Sequence, residues 1–154
     1  RLTAILSSLL RITERDDITL VLPLHPRTKN LLDKNLDAKV YEELTSSERV
    51  KIIPPASFLE IILLEKNARV VMTDSGGVQK ESFFFERPCV ILRPETEWVE
   101  IVEHGAGIIA DADPNRIVEA YEKLVGTKPT FPPLFGDAHA SERILETIYN
   151  YLND

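Results

Sequence analysis

Three features of the sequence predict an α/β fold with a doubly wound parallel sheet. Five short, β-rich apolar runs alternate with segments of helical periodicity. The first run is continuously apolar rather than alternating, as a strand buried on both faces is. The 154 residues, 44% hydrophobic and 28% charged, suit one compact domain with a sizeable core.

The elements follow in order. Leu2, Ile5, Leu6, Leu9 and Leu10 recur at helical spacing, and after the polar break Asp16-Asp17 the run from Ile18 to Leu24 reads as a buried strand. The loop His25-Pro26-Arg27-Thr28 comes next, with Thr28 expected to cap a helix carrying Leu31 and Leu32. A polar stretch through Ser46-Ser47 leads to a second strand, Val50 to Ile53, ended by Pro54-Pro55. Ser57 and Glu60 have capping-box spacing, which starts a helix at Phe58 running to about Asn67. Its apolar residues nearly encircle it, so deep burial is expected.

A third strand, Ala68 to Met72, enters Thr73-Asp74-Ser75-Gly76-Gly77 and a helix through Phe85. A fourth, Cys89 to Leu92, passes through Arg93-Pro94-Glu95-Thr96 into a helix ended at His104-Gly105, where Gly suits the residue after the cap. A fifth, Gly107 to Ala110, precedes Asp113-Pro114, an N-cap and first-turn pair for a helix with Ile117, Ala120, Tyr121, Leu124 and Val125 inward. Residues 127–137 read as an extended crossing segment and Ala140 to Leu152 as a last helix. The order argues for a Rossmann-like domain whose five strands form one sheet. The chain opens at Arg1 inside an amphipathic pattern, which reads as a piece of something longer.

Composition narrows the partners. Eighteen Lys and Arg against 25 Asp and Glu give a net charge of -7, which opposes general attraction to nucleic acid or anionic lipid. No apolar run approaches the roughly 20 residues needed to cross a bilayer. The single Cys89 has no disulfide partner, no Cys/His spacing suggests a metal site, and a reducing cytoplasm is the expected compartment.

In parallel α/β sheets ligands bind beyond the carboxyl ends of the strands, so the loops at His25, Pro54, Asp74, Arg93 and Asp111 are expected on one rim. Gly76 and Gly77 follow a small hydroxyl residue, Ser75. They let backbone N–H groups approach a phosphate without an intervening Cβ, and the helix behind adds its positive end. Glu81, one turn on, can accept bonds from both hydroxyls of a ribose. A Ser-Gly-Gly turn alone also fits a tight bend that holds nothing. Arg93 either pairs with a helix carboxylate or points into the cleft, and Trp98 either packs in the cleft or plugs the domain edge. His104 reads as a favourable charge at a helix end, His139 as a surface residue, Phe83 to Phe85 as core packing, and Cys89 as an inert apolar residue.

Thr73-Asp74-Ser75-Gly76-Gly77-Val78-Gln79-Lys80-Glu81, then Arg87-Pro88 and Arg93-Pro94-Glu95-Thr96-Glu97, resembles the carboxyl-terminal half of non-hydrolysing UDP-N-acetylglucosamine 2-epimerases. The His25-Pro26-Arg27-Thr28 loop and the segment from Gly136 to Ile144 match in order and approximate spacing, so the resemblance covers essentially the whole chain. It implies one of two Rossmann-like domains in a GT-B arrangement, with the active site between them. The implied activity is inversion at C2 of a UDP-sugar by elimination and re-addition of UDP, without a cofactor. It places Ser75, Gly76 and Gly77 on the diphosphate and Glu81 on the ribose, and sets His25, with Arg27, Arg93 and Trp98, near the cleft or an effector site.

Where many members carry Thr-Glu-Arg-Pro-Glu, this chain has Thr96-Glu97-Trp98-Val99-Glu100, and a Trp cannot replace a guanidinium as phosphate donor. Thr-Glu-Trp resembles relatives acting on UDP-diacetamido-uronic acids. Ala56 stands where some members use glutamine near uracil. The family's catalytic carboxylates belong to the amino-terminal domain, so the resemblance implies that residues 1–154 alone do not turn over. It further implies a cytoplasmic role in building cell-surface polysaccharide and a homodimer at full length. Two other classes share these features: the donor domain of a GT-B glycosyltransferase, and a non-enzymatic module that senses sugar nucleotides.

Overall fold

A computed structural model describes residues 1–137 and 139–153, apart from the side chains of Arg27, Leu31 and Asp33. The role expected of the Arg27 side chain therefore lies outside the described residues.

Helix α1, Leu2–Asp16, buries Leu6, Leu9, Leu10 and Ile12 and closes on Asp17 in the left-handed region at φ 50. Strand β1, Leu20–Pro23, pairs in parallel with β2, Val50–Ile53. Between them lie two helices, α2 over Pro26–Asn35 and α3 over Ala38–Ser46. Thr28 does not cap α2, contrary to expectation. The helix starts at Pro26, where a residue without an N–H removes a donor that the first turn leaves unpaired, and Lys29 N donates to His25 O at 3.0 Å. The stretch read only as polar contains α3. Asp37 caps it by accepting from Lys39 N and Val40 N, and its Leu44 is buried.

Helix α4, Phe58–Asn67, has the expected capping box, with Ser57 N donating to Glu60 Oε2 at 2.7 Å and Glu60 N to Ser57 Oγ at 3.4 Å. The expected deep burial is corrected: Phe58, Leu59 and Leu63 are 68%, 70% and 60% exposed. Only one side of α4 turns inward, and its buried residue is Glu65.

Strands β3, Val71–Thr73, β4, Cys89–Ile91, and β5, Gly107–Ile109, form a second parallel sheet with β4 in the centre. All three residues of β4 are fully buried. Helix α5, Gly76–Phe84, connects β3 to β4, and α6, Val99–Glu103, connects β4 to β5. Helix α7, Pro114–Gly126, is capped by Asp113, which accepts from Asn115 N and Arg116 N at 2.9 and 3.0 Å.

The strands are parallel throughout, but the single sheet expected is two hydrogen-bonded pieces, β1-β2 and β3-β4-β5. The N–H groups of Leu20 and Leu24 donate toward the β2 side, to Arg49 O just before β2 and to Ile53 O at its end. Residues 21 and 23 therefore present their backbone to the opposite edge, and Pro23 has no N–H to offer there. Side chains join the pieces instead. Met72 packs against the leucine cluster under α1 and also against the cluster of Ile12, Val90, Ile117 and Leu124.

Residues 127–137 cross the domain as expected. Phe131, Leu134 and Phe135 pack against Phe83, Ile101 and Ala106. Helix α8, Ala140–Asn153, buries none of its residues and displays Leu145, Tyr149 and Leu152. Among the described residues no helix is long and apolar enough to cross a membrane.

Candidate functional site

The three parallel strands deliver residues 74, 92 and 110 to one edge, where Leu92 N donates to Thr73 O and Ala110 N to Ile91 O, both at 2.9 Å. On the β3 side of this edge is the amino end of α5. Ser75 N donates to Thr73 Oγ1 at 3.0 Å, which turns the chain out of β3 and into the helix. Ser75 is the N-cap, yet its hydroxyl makes no capping hydrogen bond. Gln79 N donates to Ser75 O in the first intrahelical bond, which leaves the earlier N–H groups of the first turn without a partner inside the helix, at its positive end.

The two glycines differ. A Cβ at Gly77 would meet only Ser75 Oγ, at an ordinary 3.8 Å, so packing does not require glycine there. A Cβ at Gly76 would overlap Glu97 Oε1 and lie 3.0 Å from Glu97 Cδ, so Gly76 leaves space that Glu97 fills. Glu97 is ion-paired with Arg93. Glu97 precedes α6, so Arg93 pairs with a loop carboxylate rather than the helix carboxylate expected, and the pairing neutralises a carboxylate beside a helix end suited to anions.

The segments read as two motifs form one clasp. The Thr96 hydroxyl donates to Gln79 Oε1 at 2.6 Å and accepts from Trp98 N at 3.0 Å. Trp98 Nε1 donates to Gly76 O at 2.9 Å, and its ring meets Phe135 at 5.4 Å, edge to face. Gln79 is fully buried. Trp98 thus packs at the wall of the site and holds the backbone of the glycine turn. Lys80 lies over it, with Nζ 4.6 Å from the Trp98 ring and 4.8 Å from that of Phe135. A hollow lined by residues 93–97 opens beside the clasp.

Glu81 lies four residues beyond Gly77, on the same side of α5, and is partly exposed. Behind it, on α4, sits Glu65, which the sequence reading passed over. Burial and the charge of Glu81 push the Glu65 carboxyl up to about 7. Its signal was available: Glu65 falls four residues after Ile61 on the inward side of an otherwise apolar stripe.

The other candidates are placed as follows. His25 follows β1 by two residues, whereas Ser75 follows β3, so the two lie after strands of different sheets. His104 caps α6, its Nδ1 2.8 Å from Glu100 O, and His139 is exposed beside Glu142. Phe83 is core, while Phe84 is half exposed. Burial pushes the Cys89 thiol up to about 12. Asp113 is a cap, and the Arg1 guanidinium bonded to Asp111 holds that carboxyl below its usual range.

Comparison with known proteins bears on this geometry. A family model described as UDP-N-acetylglucosamine 2-epimerase matches residues 1–149. The UDP-2,3-diacetamido-2,3-dideoxy-D-glucuronate 2-epimerase of Pseudomonas aeruginosa is 42% identical over 147 residues, 95% of this chain and 39% of its own. The UDP-N-acetylglucosamine 2-epimerase of Methanocaldococcus jannaschii is 36% identical over 148 residues, 96% of this chain and 40% of its own. A solved structure of the Methanocaldococcus enzyme superposes with a TM-score of 0.86 at 35% identity over 97% of this chain and 41% of that one. Another, in complex with UDP-GlcNAc and UDP, gives 0.84 over 97% of this chain and 40% of that one. The chain thus spans about two fifths of the length of these relatives.

Proposed function

Because this chain belongs to the UDP-N-acetylglucosamine 2-epimerase family, we propose that residues 1–154 are the nucleotide-binding domain of a UDP-sugar 2-epimerase, with Ser75, Gly76, Gly77 and Glu81 holding UDP. Its α/β fold is one half of a GT-B arrangement, and the absent half would be an amino-terminal domain of the same protein. The observation that carries the reading is the open end of α5. Its cap residue leaves the first turn unsatisfied, and Gly77 is exposed where packing would accept a side chain. Unpaired N–H groups at a positive helix end suit a diphosphate even in a protein of net charge -7. Glu81 accepts from the ribose hydroxyls one turn along.

In this reading the domain binds and orients the nucleotide. UDP leaves C1 as the C2 proton is removed, and it stays held by the glycine turn until it adds back to C1 of the planar glycal while a proton returns to C2 from the opposite face. Proton transfer at C2 falls to carboxylates of the amino-terminal domain, so the isolated chain binds without turning over. The protein would act in the cytoplasm, as a homodimer at full length, in building cell-surface polysaccharide. The sugar we favour is a UDP-diacetamido-uronic acid, on the 42% identity to the Pseudomonas enzyme and the Thr96-Glu97-Trp98 sequence.

The test is titration of the chain with UDP, followed through backbone amide shifts. Movement centred on residues 75–81 is expected. Binding elsewhere, or none at millimolar UDP, would remove the nucleotide role from this turn.

A further inference from the structure

We propose that Glu65 is a positioning residue for the nucleotide site, its buried carboxyl group donating a hydrogen bond to the Glu81 carboxylate and holding it to accept from a ribose diol. The proposal rests on the reading of Glu81 given above.

Glu65 is 5% exposed, and both its oxygens are inaccessible to solvent. Among the described residues no donor reaches either oxygen. A buried carboxylate with no donor is a costly arrangement. The group that meets it is Glu81, which faces it from α5 and adds negative charge at hydrogen-bonding range. Two carboxylates can satisfy each other only when one supplies a proton.

The other groups nearby leave that proton on Glu65. Cys89, facing from β4, has its thiol pushed up to about 12 and carries no charge at neutral pH. The Ser82 hydroxyl is committed to Gln79 O at 2.8 Å. Lys66, next on α4, lies over the Phe85 ring at 5.7 Å. Glu81 is the charged group acting on Glu65. Burial and that charge favour the neutral acid up to about pH 7, and so below neutrality the pair is one hydrogen bond. One Glu81 oxygen accepts from Glu65 and the other remains for the ribose. As pH rises through about 7 the proton leaves, two carboxylates confront each other, and Glu81 loses its tether.

The experiment uses UDP-N-acetylglucosamine, whose phosphodiesters do not titrate near neutrality. The chain is titrated with it between about pH 5.5 and about pH 8.5. Affinity of the parent is expected to fall about 3- to 10-fold across that range, the worth of one hydrogen bond. Glu65→Gln keeps a donor at every pH, and its affinity should stay flat near the parent's low-pH value. Glu65→Leu has none and should stay flat near the high-pH value. The Glu65 carboxyl carbon, followed by NMR, should titrate near 7 in the parent. A flat parent profile, a Glu65→Gln profile that falls like the parent's, or a carboxyl titrating in the ordinary range each overturns the proposal. Should Glu65→Leu not fold, the parent, Glu65→Gln and the carboxyl titration decide. Binding that is tight but independent of pH defeats this proposal alone, whereas no binding at any pH defeats the nucleotide reading and this one together.

Discussion

Replacing Gly77 by Ala separates a nucleotide cradle from a plain turn, because the two predict opposite signs. The nearest atom to an added Cβ is Ser75 Oγ at 3.8 Å, so the methyl enters without displacing anything. Gly77 lies in the first turn of α5, where Ala restricts the unfolded chain more than Gly does. Folding should therefore gain about 0.4 to 1 kcal/mol, or about 1 to 4 °C in melting temperature for a domain of this size. Binding should move the other way. A Cβ in a helix tilts toward the amino end, toward the space an anion would occupy before the first-turn N–H groups. Losing one such charge-assisted bond costs about 1.5 to 3 kcal/mol, a weakening of roughly 10- to 150-fold. Trp98, the chain's single tryptophan, donates to Gly76 O, so its fluorescence reports on the turn during a UDP titration. Thermal melts on the same samples give stability. A Gly77→Ala protein that binds UDP as tightly as the parent would refute the cradle, and one less stable than the parent would show that the space around Gly77 is misjudged.

Gly76→Ala should push aside the Glu97 carboxylate, the far end of a flexible and half-exposed side chain, at a cost below about 1 kcal/mol, and a second change, Glu97→Ala, should remove that cost. Additive effects in denaturant melts would mean that Glu97 does not set the need for glycine. Cys89, fully buried with its thiol pushed up to about 12, should resist iodoacetamide in native protein at pH 8 and react once unfolded; labelling at the rate of a free thiol would contradict its placement. For Glu65 the folded carboxyl lies above its unfolded value of 4.5, at about 7, so its stabilising share is complete below pH 4.5 and is lost as pH rises through about 7. The stability of the parent relative to Glu65→Gln should fall across that window, by at most about 1.4 kcal/mol per pH unit, and a constant difference would exclude the shift.

Legibility followed the locality of the forces. The capping box at Ser57 and Glu60, the Asp113-Pro114 start of α7 and the Gly105 residue at φ 70 are decided within a few residues, and all could be read from the chain. The parallel order was readable too, since crossover helices leave no other pairing. What escaped depended on distant neighbours. The apolar circumference of α4 suggested burial, yet only its inner side has a partner, and Phe58 and Leu59 face outward. Pro23 was visible in the first strand, and its missing donor should have argued against hydrogen bonding on both edges. At the site, Ser75 to Gly77 could be singled out from residue types alone. The contacts of Gly76 with Glu97 and Trp98, and of Glu65 with Glu81, join residues 16 to 22 positions apart, and no periodicity records them.

The seam between the two sheets sets how this domain opens. No ladder crosses it, so separating β1-β2 from β3-β4-β5 breaks side-chain contacts around Met72 and α1 but no strand pairing. Each sheet can then remain intact while the other frays, which divides the domain into two cooperative units of unequal depth. The amides of β4, central in its sheet and fully buried, should exchange only through global unfolding. Those of β1 and β2 should exchange faster, through a lesser opening that leaves the glycine turn and its clasp in place, and equal protection of both sheets would show that they open together.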